Sequence, residues 1–178
     1  MSNSLPTAII TGASRGIGRA LALLLAKNNF QLSLVARNKG ELKDLAAEIT
    51  EIGHRPLYFD GDVSDEAFVS GAVEKTVHTF GHIDYVINNA GIGAFGPTES
   101  YSATQWDQVF DTNVKGTFLF CQKPCRILKP LKKATSSRLP LMWRNASLME
   151  DHFIAPLNMR STRSLKRLEK KFEEMASK

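Results

Sequence analysis

The chain has 178 residues, of which 43% are hydrophobic and 23% are charged, and its net charge at pH 7 is +5. This composition suits one soluble domain with a sizeable core, and no apolar run approaches transmembrane length. The first residues lack the basic and apolar regions of an export signal, so we expect a cytosolic protein. Cys121 and Cys125 form neither a disulfide framework nor a zinc pattern, and we predict reduced thiols and no metal site.

Charge and glycine divide the chain into two unlike segments. Residues 1–121 hold 9 basic and 13 acidic side chains, whereas residues 122–178 hold 14 basic and 5 acidic ones. All 12 glycines lie at or before Gly116. We therefore predict a folded segment over 1–121 and a basic tail over 122–178.

The first segment alternates short apolar strands with amphipathic helices, at the spacing of a doubly wound parallel sheet. The predicted strands cover 8–10, 31–36, 57–59 and 83–87, and the predicted helices 19–27, 39–52 and 65–80. A fourth, long helix opens with a capping-box pattern at Ser102 and runs through Leu119. The parallel strands would bring the loops at their carboxyl ends to one edge of the sheet.

The pattern changes in the tail. Pro124 and Pro130 interrupt what would be a continuing helix, and no alternating pattern appears where a fifth strand belongs. We therefore expect an α/β, Rossmann-type parallel sheet that is incomplete, with four strands and flanking helices. The fourth strand would be an exposed edge, and the basic tail would be irregular or helical.

A glycine-rich turn joins the first strand to the first helix and reads Thr-Gly-Ala-Ser-Arg-Gly-Ile-Gly over residues 11–18. Gly12 allows a tight turn, while Gly16 and Gly18 would remove Cβ atoms that keep a pyrophosphate from the helix N-terminus. Free N–H groups and the helix dipole favour an anion there. The alternative is a turn that needs glycine for its backbone angles and binds nothing.

Arg37 follows the second strand, where an acidic side chain would bind a free ribose 2′-hydroxyl group. Arginine favours a 2′-phosphate instead, and Arg15 of the glycine turn could bind the same phosphate. These residues favour NADP over NAD, unless both are solvated surface residues. Asp60 and Asp62 end the third strand, where either could face the adenine amino group or simply form a turn.

Four motifs in this order resemble the short-chain dehydrogenase/reductase family. They are residues 11–18, Asp62-Val63, Asn88-Asn89-Ala90-Gly91, and Asn113 within Asp111-Thr112-Asn113-Val114. The resemblance covers about two-thirds of the chain and implies a Rossmann oxidoreductase that interconverts alcohols and carbonyls. It assigns Asn113 to the catalytic site, where the family's asparagine supports a water-linked proton path. It assigns the cofactor to Gly12, Ser14, Arg15, Gly16, Ile17, Gly18, Arg37, Asp62, Val63, Asn89, Ala90 and Gly91.

The family's other catalytic groups are missing from this chain. The family uses a Ser and a Tyr-x-x-x-Lys pair, in which the lysine lowers a phenol pKa that is otherwise about 10. The tyrosines here are Tyr58, Tyr85 and Tyr101, and none has a lysine four residues later. We therefore expect this chain to be catalytically inactive, although its intact form would reduce a small-molecule carbonyl and form a homo-oligomer.

A shift of reading frame would account for the missing groups. If each codon takes the third base of one residue and the first two of the next, Phe153 and Ile154 permit only Tyr or His. Leu157 and Asn158 then permit Lys, which restores Tyr-x-x-x-Lys, and residues 139–141 permit Ser-Ser upstream. We therefore hypothesise that residues from about 120 onward are an out-of-frame translation of an ordinary reductase.

Two other interpretations of the tail remain open. Apolar side chains at helical spacing from Ser161 to Ala176 could form an amphipathic helix that docks on the sheet. The basic tail could instead bind nucleic acid or an acidic protein, although Trp143, Phe153 and Phe172 offer little stacking surface. We expect no nucleic acid and no membrane as partners. The competing function is a non-catalytic nucleotide-binding fragment, and the residues do not identify a substrate.

Overall fold

The computed structural model describes residues 5–93, 97–128 and 141–143. The chain divides into two compact units, residues 1–145 and 146–178, and every described residue lies in the first. The tail helix considered over 161–176, Pro130 and the codon window around 153–158 therefore lie outside the described residues.

Strands and helices alternate along the chain, as the sequence predicts. The strands are β1 (Thr7–Thr11), β2 (Gln31–Ala36), β3 (Leu57–Asp60), β4 (Tyr85–Asn88) and β5 (Leu141–Trp143). The helices are α1 (Gly16–Lys27), α2 (Lys39–Glu51), α3 (Glu66–Phe80), α4 (Ala103–Phe110) and α5 (Gly116–Leu128). A single 3₁₀ turn, Thr98–Ser100, precedes α4, and a π-helical segment, Asp111–Lys115, joins α4 to α5.

All five strands are parallel, and their order across the sheet is β3-β2-β1-β4-β5. The chain moves outward from β1 to β3 and then returns to the other side of β1. With right-handed crossovers this reversal puts α1 and α2 on one face and α3 and α5 on the other. In agreement, α1 contacts α2 and α3 contacts α5. The predicted Rossmann-type fold is therefore confirmed.

The central strands are apolar because both of their faces are covered. Every residue of β1 is buried, and β2 is buried from Leu32 to Ala36. One core cluster joins Ile9 and Val86 of the sheet to Val69 of α3 and Phe120 of α5. Buried parallel strands have such continuous apolar sequences.

The fifth strand corrects one prediction. Leu141–Trp143 pairs with β4, with Val86 opposite Leu141, so β4 is not an edge strand. The absence of alternating polar and apolar residues does not exclude a strand, because a short parallel strand can be a continuous apolar run. Leu-Met-Trp is such a run.

The expected break at Pro124 is also wrong, because α5 continues through this residue to Leu128. Proline removes one helical hydrogen bond, but the packing of a helix can outweigh that loss. Pro124 is buried, as are Leu119 and Phe120 of the same helix. The boundary predicted after residue 121 thus lies within a continuous helix.

Within the described residues, every helix is too short or too polar to cross a lipid bilayer.

Candidate cofactor site

A cleft of about 570 Å³ lies at the carboxyl ends of the parallel strands, on both sides of the point where the strand order reverses. Such crevices are where open α/β sheets bind ligands. Ten of the residues that the sequence assigned to a cofactor line it: Gly12, Ser14, Arg15, Gly16, Arg37, Asp62, Val63, Asn89, Ala90 and Gly91. Ile17 and Gly18 are not among its lining residues.

The three glycines of the turn have different structural roles. Gly12 and Gly16 have positive φ angles of 65° and 56°, which other residues adopt only with strain. A Cβ at Gly12 would lie 2.8 Å from Cα of Ala90, whereas a Cβ at Gly16 would meet no atom within 4 Å. The Cβ position of Gly16 therefore lies in open space, and this residue lines the cleft.

Gly18 has a packing role in addition to the role that the sequence predicts for it. It is buried, and a Cβ there would lie 2.2 Å from the carbonyl oxygen of Gly12. Its missing side chain lets α1 pack closely on the turn. The sequence pattern alone does not distinguish these two roles. Ile17, beside it, has 53% of its surface exposed.

The N-terminus of α1 is suited to an anion. Its N-cap residue, Arg15, makes no capping hydrogen bond through its side chain, and its first turn contains no acidic residue. In contrast, α2, α3 and α4 are capped by the side chains of Asn38, Asp65 and Ser102. The first N–H groups of α1 therefore remain available beside Gly16, where the helix dipole adds partial positive charge. The glycine turn fits a phosphate-containing cofactor.

Thr11 and Asn89 fix the loop after β4 against the glycine turn. The Thr11 hydroxyl group accepts hydrogen bonds from the N–H groups of Asn89 and Ala90, both at 3.0 Å. The Asn89 side chain donates to the carbonyl oxygens of Thr11 and Gly12, both at 3.1 Å. Each loop thus satisfies polar groups of the other. This role of Thr11 was not predicted, although the residue begins the glycine motif.

Asp62 forms a turn at the end of β3. Its Oδ1 accepts hydrogen bonds from the backbone N–H of Ser64 at 2.8 Å and from the Ser64 hydroxyl group at 2.7 Å. These bonds, with the nearby positive charge of Arg37, hold the pKa of Asp62 below its usual value of 3.8. Asp62 is therefore an ionised acceptor in the cleft. Asp60 instead pairs with Lys39 at 3.3 Å.

Arg15 and Arg37 line the same cleft, and both side chains are exposed. Neither forms an ion pair or a side-chain hydrogen bond with another described residue. Unpaired guanidinium groups in a shared cleft can bind a phosphate group through charge-assisted hydrogen bonds.

Asn113 lies in the π-helical segment between α4 and α5. Its Oδ1 accepts from the N–H of Ile92 at 2.9 Å, and its Nδ2 donates to the carbonyl oxygen of Ile92 at 2.9 Å. The side chain thus binds the loop after β4, while its neighbour Thr112 lines the cleft. The sequence predicted one uninterrupted helix here and missed the π segment.

The match to a family model decides the family. The model of the short chain dehydrogenases matches residues 6–139. The chain belongs to the short-chain dehydrogenase family. This family consists of oxidoreductases that bind nicotinamide cofactors and act on small-molecule substrates.

Relatives and solved structures agree with this assignment. A levodione reductase of Leifsonia aquatica is 40% identical over 124 residues, which cover 68% of this chain and 46% of that protein. A 3-ketoacyl-ACP reductase from Sinorhizobium meliloti is 38% identical, with a TM-score of 0.66 over 71% of this chain and 50% of that one. An alcohol dehydrogenase from Thermococcus sibiricus, complexed with 5-hydroxy-NADP, is 34% identical, with a TM-score of 0.67 over 71% and 55%. The chain spans about half the length of the curated relatives it matches.

The tyrosines of this short-chain dehydrogenase do not lie in its cleft. Tyr85 packs against Phe30 with ring centroids 5.7 Å apart, and Tyr58 lies on the edge strand β3 with 38% of its surface exposed. Tyr101, just before α4, is likewise not among the lining residues. Among the described residues, no tyrosine therefore lines the cleft.

Six lining residues were not assigned to the site from the sequence: Ala36, Asn38, Glu41, Gly61, Ile92 and Thr112. Asn38 caps α2 by accepting from the N–H of Glu41 at 3.2 Å, and this cap turns both residues toward the end of β2. A signal was present, because Asn followed three residues later by Glu is typical of a helix start.

Proposed function

We propose that this short-chain dehydrogenase binds NADP(H), with the 2′-phosphate held by Arg15 and Arg37. The observation that carries the proposal is the presence of both unpaired arginines in one cleft with the uncapped N-terminus of α1. One end of the cleft is thereby suited to a pyrophosphate and the other to a phosphate monoester. Asp62 and the backbone of Val63 would bind the adenine, and residues 89–91 would line the path toward the nicotinamide.

The reaction proposed for the intact form is hydride transfer between the nicotinamide and a small carbonyl or alcohol. When bound, the nicotinamide supplies or accepts the hydride, and a residue of the protein must exchange a proton with the substrate oxygen. Asn113 positions the loop at Ile92 near this region, but its amide cannot serve as that acid. Because no tyrosine lines the cleft, we propose that the chain as written binds cofactor with little or no turnover.

A frame shift near residue 120 remains our proposal for how the catalytic groups were lost. The family match extends past the proposed shift to residue 139 and ends before the position where the shifted reading restores Tyr-x-x-x-Lys. The coding DNA tests this directly. Early stop codons or unrelated residues in the shifted frame around codons 119 to 123 would refute it.

Nucleotide binding and turnover should be measured on the full chain. Titration of the protein with NADPH and NADH, followed by the fluorescence of the reduced nicotinamide, should give a lower dissociation constant for NADPH. Oxidation of NADPH with a panel of carbonyls should not exceed that of a control without protein. Equal affinities for the two nucleotides would refute the NADP preference, and clear turnover would refute inactivity.

Self-association is part of the proposal for the intact form. Helix α4 has no buried residue, and its Trp106 is 61% exposed while stacking on Phe110 with ring centroids 4.2 Å apart. Phe118 of α5 is also 45% exposed. Large exposed aromatic groups of this kind are typical of contact surfaces. We propose a second copy of the chain as the partner, and neither nucleic acid nor a membrane.

A further inference from the structure

The cleft contains as many carboxylates as guanidinium groups. Its charged lining residues are Arg15, Arg37, Glu41 and Asp62. Both arginines attract a phosphate group, and the negative charges of the two carboxylates reduce that attraction. A preference for a 2′-phosphorylated cofactor therefore depends on where each carboxylate lies and on what it binds.

The carboxylates of Asp62 and Glu41 differ in their hydrogen-bond partners. Asp62 binds Ser64 through Oδ1 and lies at the end of β3. The carboxylate of Glu41 forms no hydrogen bond or ion pair with any residue that the structure describes, although its backbone N–H donates to Asn38. Glu41 is half-buried in the first turn of α2, four residues after Arg37. Of the two carboxylates in the cleft, Glu41 is thus the one that binds no described side chain or backbone N–H group.

A carboxylate at this position acts differently on the two forms of a ribose. It repels a phosphate monoester, which carries nearly two negative charges near pH 7, and it accepts a hydrogen bond from a free 2′-hydroxyl group. Arg37 and Glu41 would therefore favour opposite cofactors from neighbouring positions. Their opposition would narrow the difference in affinity between NADPH and NADH.

We propose that Glu41 is a specificity-determining residue that restrains the preference for a 2′-phosphorylated nucleotide and keeps the cleft accessible to NADH. This inference rests on the proposed nucleotide site, but it concerns the ratio of the two affinities rather than the existence of the site. Removing the charge should raise the NADPH preference, and reversing it should raise the preference further.

The test changes the charge of residue 41 in steps and measures nucleotide binding, without any measurement of turnover. Dissociation constants for NADPH and NADH are measured on the full chain and on Glu41→Gln and Glu41→Lys. We expect the ratio of NADH to NADPH dissociation constants to rise about fivefold with each step of charge. Asp44→Asn is the matched control, because Asp44 is an exposed acid of the same helix that does not line the cleft.

Each outcome separates this inference from the proposal on which it rests. A ratio that is unchanged or lowered in both Glu41 variants, or raised equally in Asp44→Asn, overturns the role of Glu41. A wild-type chain that prefers NADH refutes the NADP assignment but supports the role of Glu41 if the charge series still raises the ratio. Loss of all nucleotide binding in the wild-type chain overturns both. Circular dichroism of each variant verifies that the fold is retained.

Discussion

Asn113 and Ile92 form a reciprocal pair of hydrogen bonds, one accepted and one donated by the same amide side chain, both 2.9 Å long. The pair joins the π-helical segment to the loop after β4. Replacing Asn113 with Ala would leave both backbone groups of Ile92 without this partner. We expect the free energy of unfolding to fall by about 2–3 kcal/mol, measured by urea denaturation.

Asn28→Ala is the control for this experiment, because the Asn28 side chain donates a single hydrogen bond, to the carbonyl oxygen of Leu24. It should cost about 1 kcal/mol. An equal loss of unfolding free energy in the two variants would show that the two hydrogen bonds to Ile92 stabilise the protein no more than a single hydrogen bond does.

Gly18→Ala should destabilise the protein strongly, whereas Gly71→Ala should not. A Cβ at residue 18 would meet the Gly12 carbonyl oxygen at 2.2 Å, so the backbone of the turn or of α1 must move. We expect a loss of about 3 kcal/mol. Gly71 lies exposed within α3, where a Cβ meets nothing within 4 Å, and alanine should add about 0.5–1 kcal/mol of stability. Thermal unfolding of both variants gives the comparison, and similar shifts for the two would contradict it.

Arg37→Ala should weaken NADPH binding by about 10- to 100-fold, because it removes a charge-assisted hydrogen bond to the 2′-phosphate. The affinity for NADH should change little. Arg55→Ala serves as a control, since Arg55 is exposed and does not line the cleft. Isothermal titration calorimetry of the three proteins would measure this, and equal weakening of both nucleotides by Arg37→Ala would argue against a 2′-phosphate contact.

The turn at Asp62 should make stability depend on acid pH. Because the folded-state pKa lies below 3.8, the stabilisation is complete above that value and is lost as the pH falls through the folded-state pKa. Ser64→Ala removes one of the hydrogen bonds that lower this pKa. It should therefore be less stable than the wild-type chain at pH 7, and the difference should shrink below about pH 3.8.

Urea denaturation between pH 7 and pH 2.5 would measure that difference. Ser70→Ala removes a hydroxyl group that donates to the backbone carbonyl oxygen of Glu66, a neutral acceptor. Its effect on stability should not vary with pH. A pH-independent difference for Ser64→Ala as well would refute the role of Asp62.

The two thiols should differ in their rates of reaction with a disulfide reagent. Burial raises the pKa of Cys121 to about 11, so little thiolate forms at pH 8, whereas Cys125 is exposed. With Ellman's reagent, Cys121→Ser should retain a fast-reacting thiol and Cys125→Ser a slow one. Denaturant should make the two variants react alike. A fast reaction of native Cys125→Ser would be evidence against the burial of Cys121.

Local signals in the sequence were sufficient for most element boundaries in the first segment. Asp65 caps α3 and Gly81 ends it in a left-handed conformation, and Ser102 and Gln105 form the predicted capping box. These residues act within one turn of the chain, so the sequence alone specifies them. β2 likewise spans the predicted residues 31–36.

Features that depend on distant contacts were not predictable in the same way. The π segment accompanies hydrogen bonds from the Asn113 side chain to the backbone of Ile92, 21 residues away. The closeness of Gly18 to Gly12 depends on how α1 packs on the turn. The helix through Pro124 is likewise supported by packing rather than by propensity. For the cleft, the motifs identified ten of the lining residues, whereas Glu41 lines it because α2 begins close to the end of β2.

The Thr11 hydroxyl group holds the loop after β4 against the end of β1 at the cleft. It is buried at the end of the central strand, and two amides of the neighbouring loop converge on it. The turn after β1 and the loop after β4, which border the cleft, are therefore both held by the end of the sheet. A nucleotide would enter a site that is already shaped, and little of its binding energy would be spent on ordering the protein.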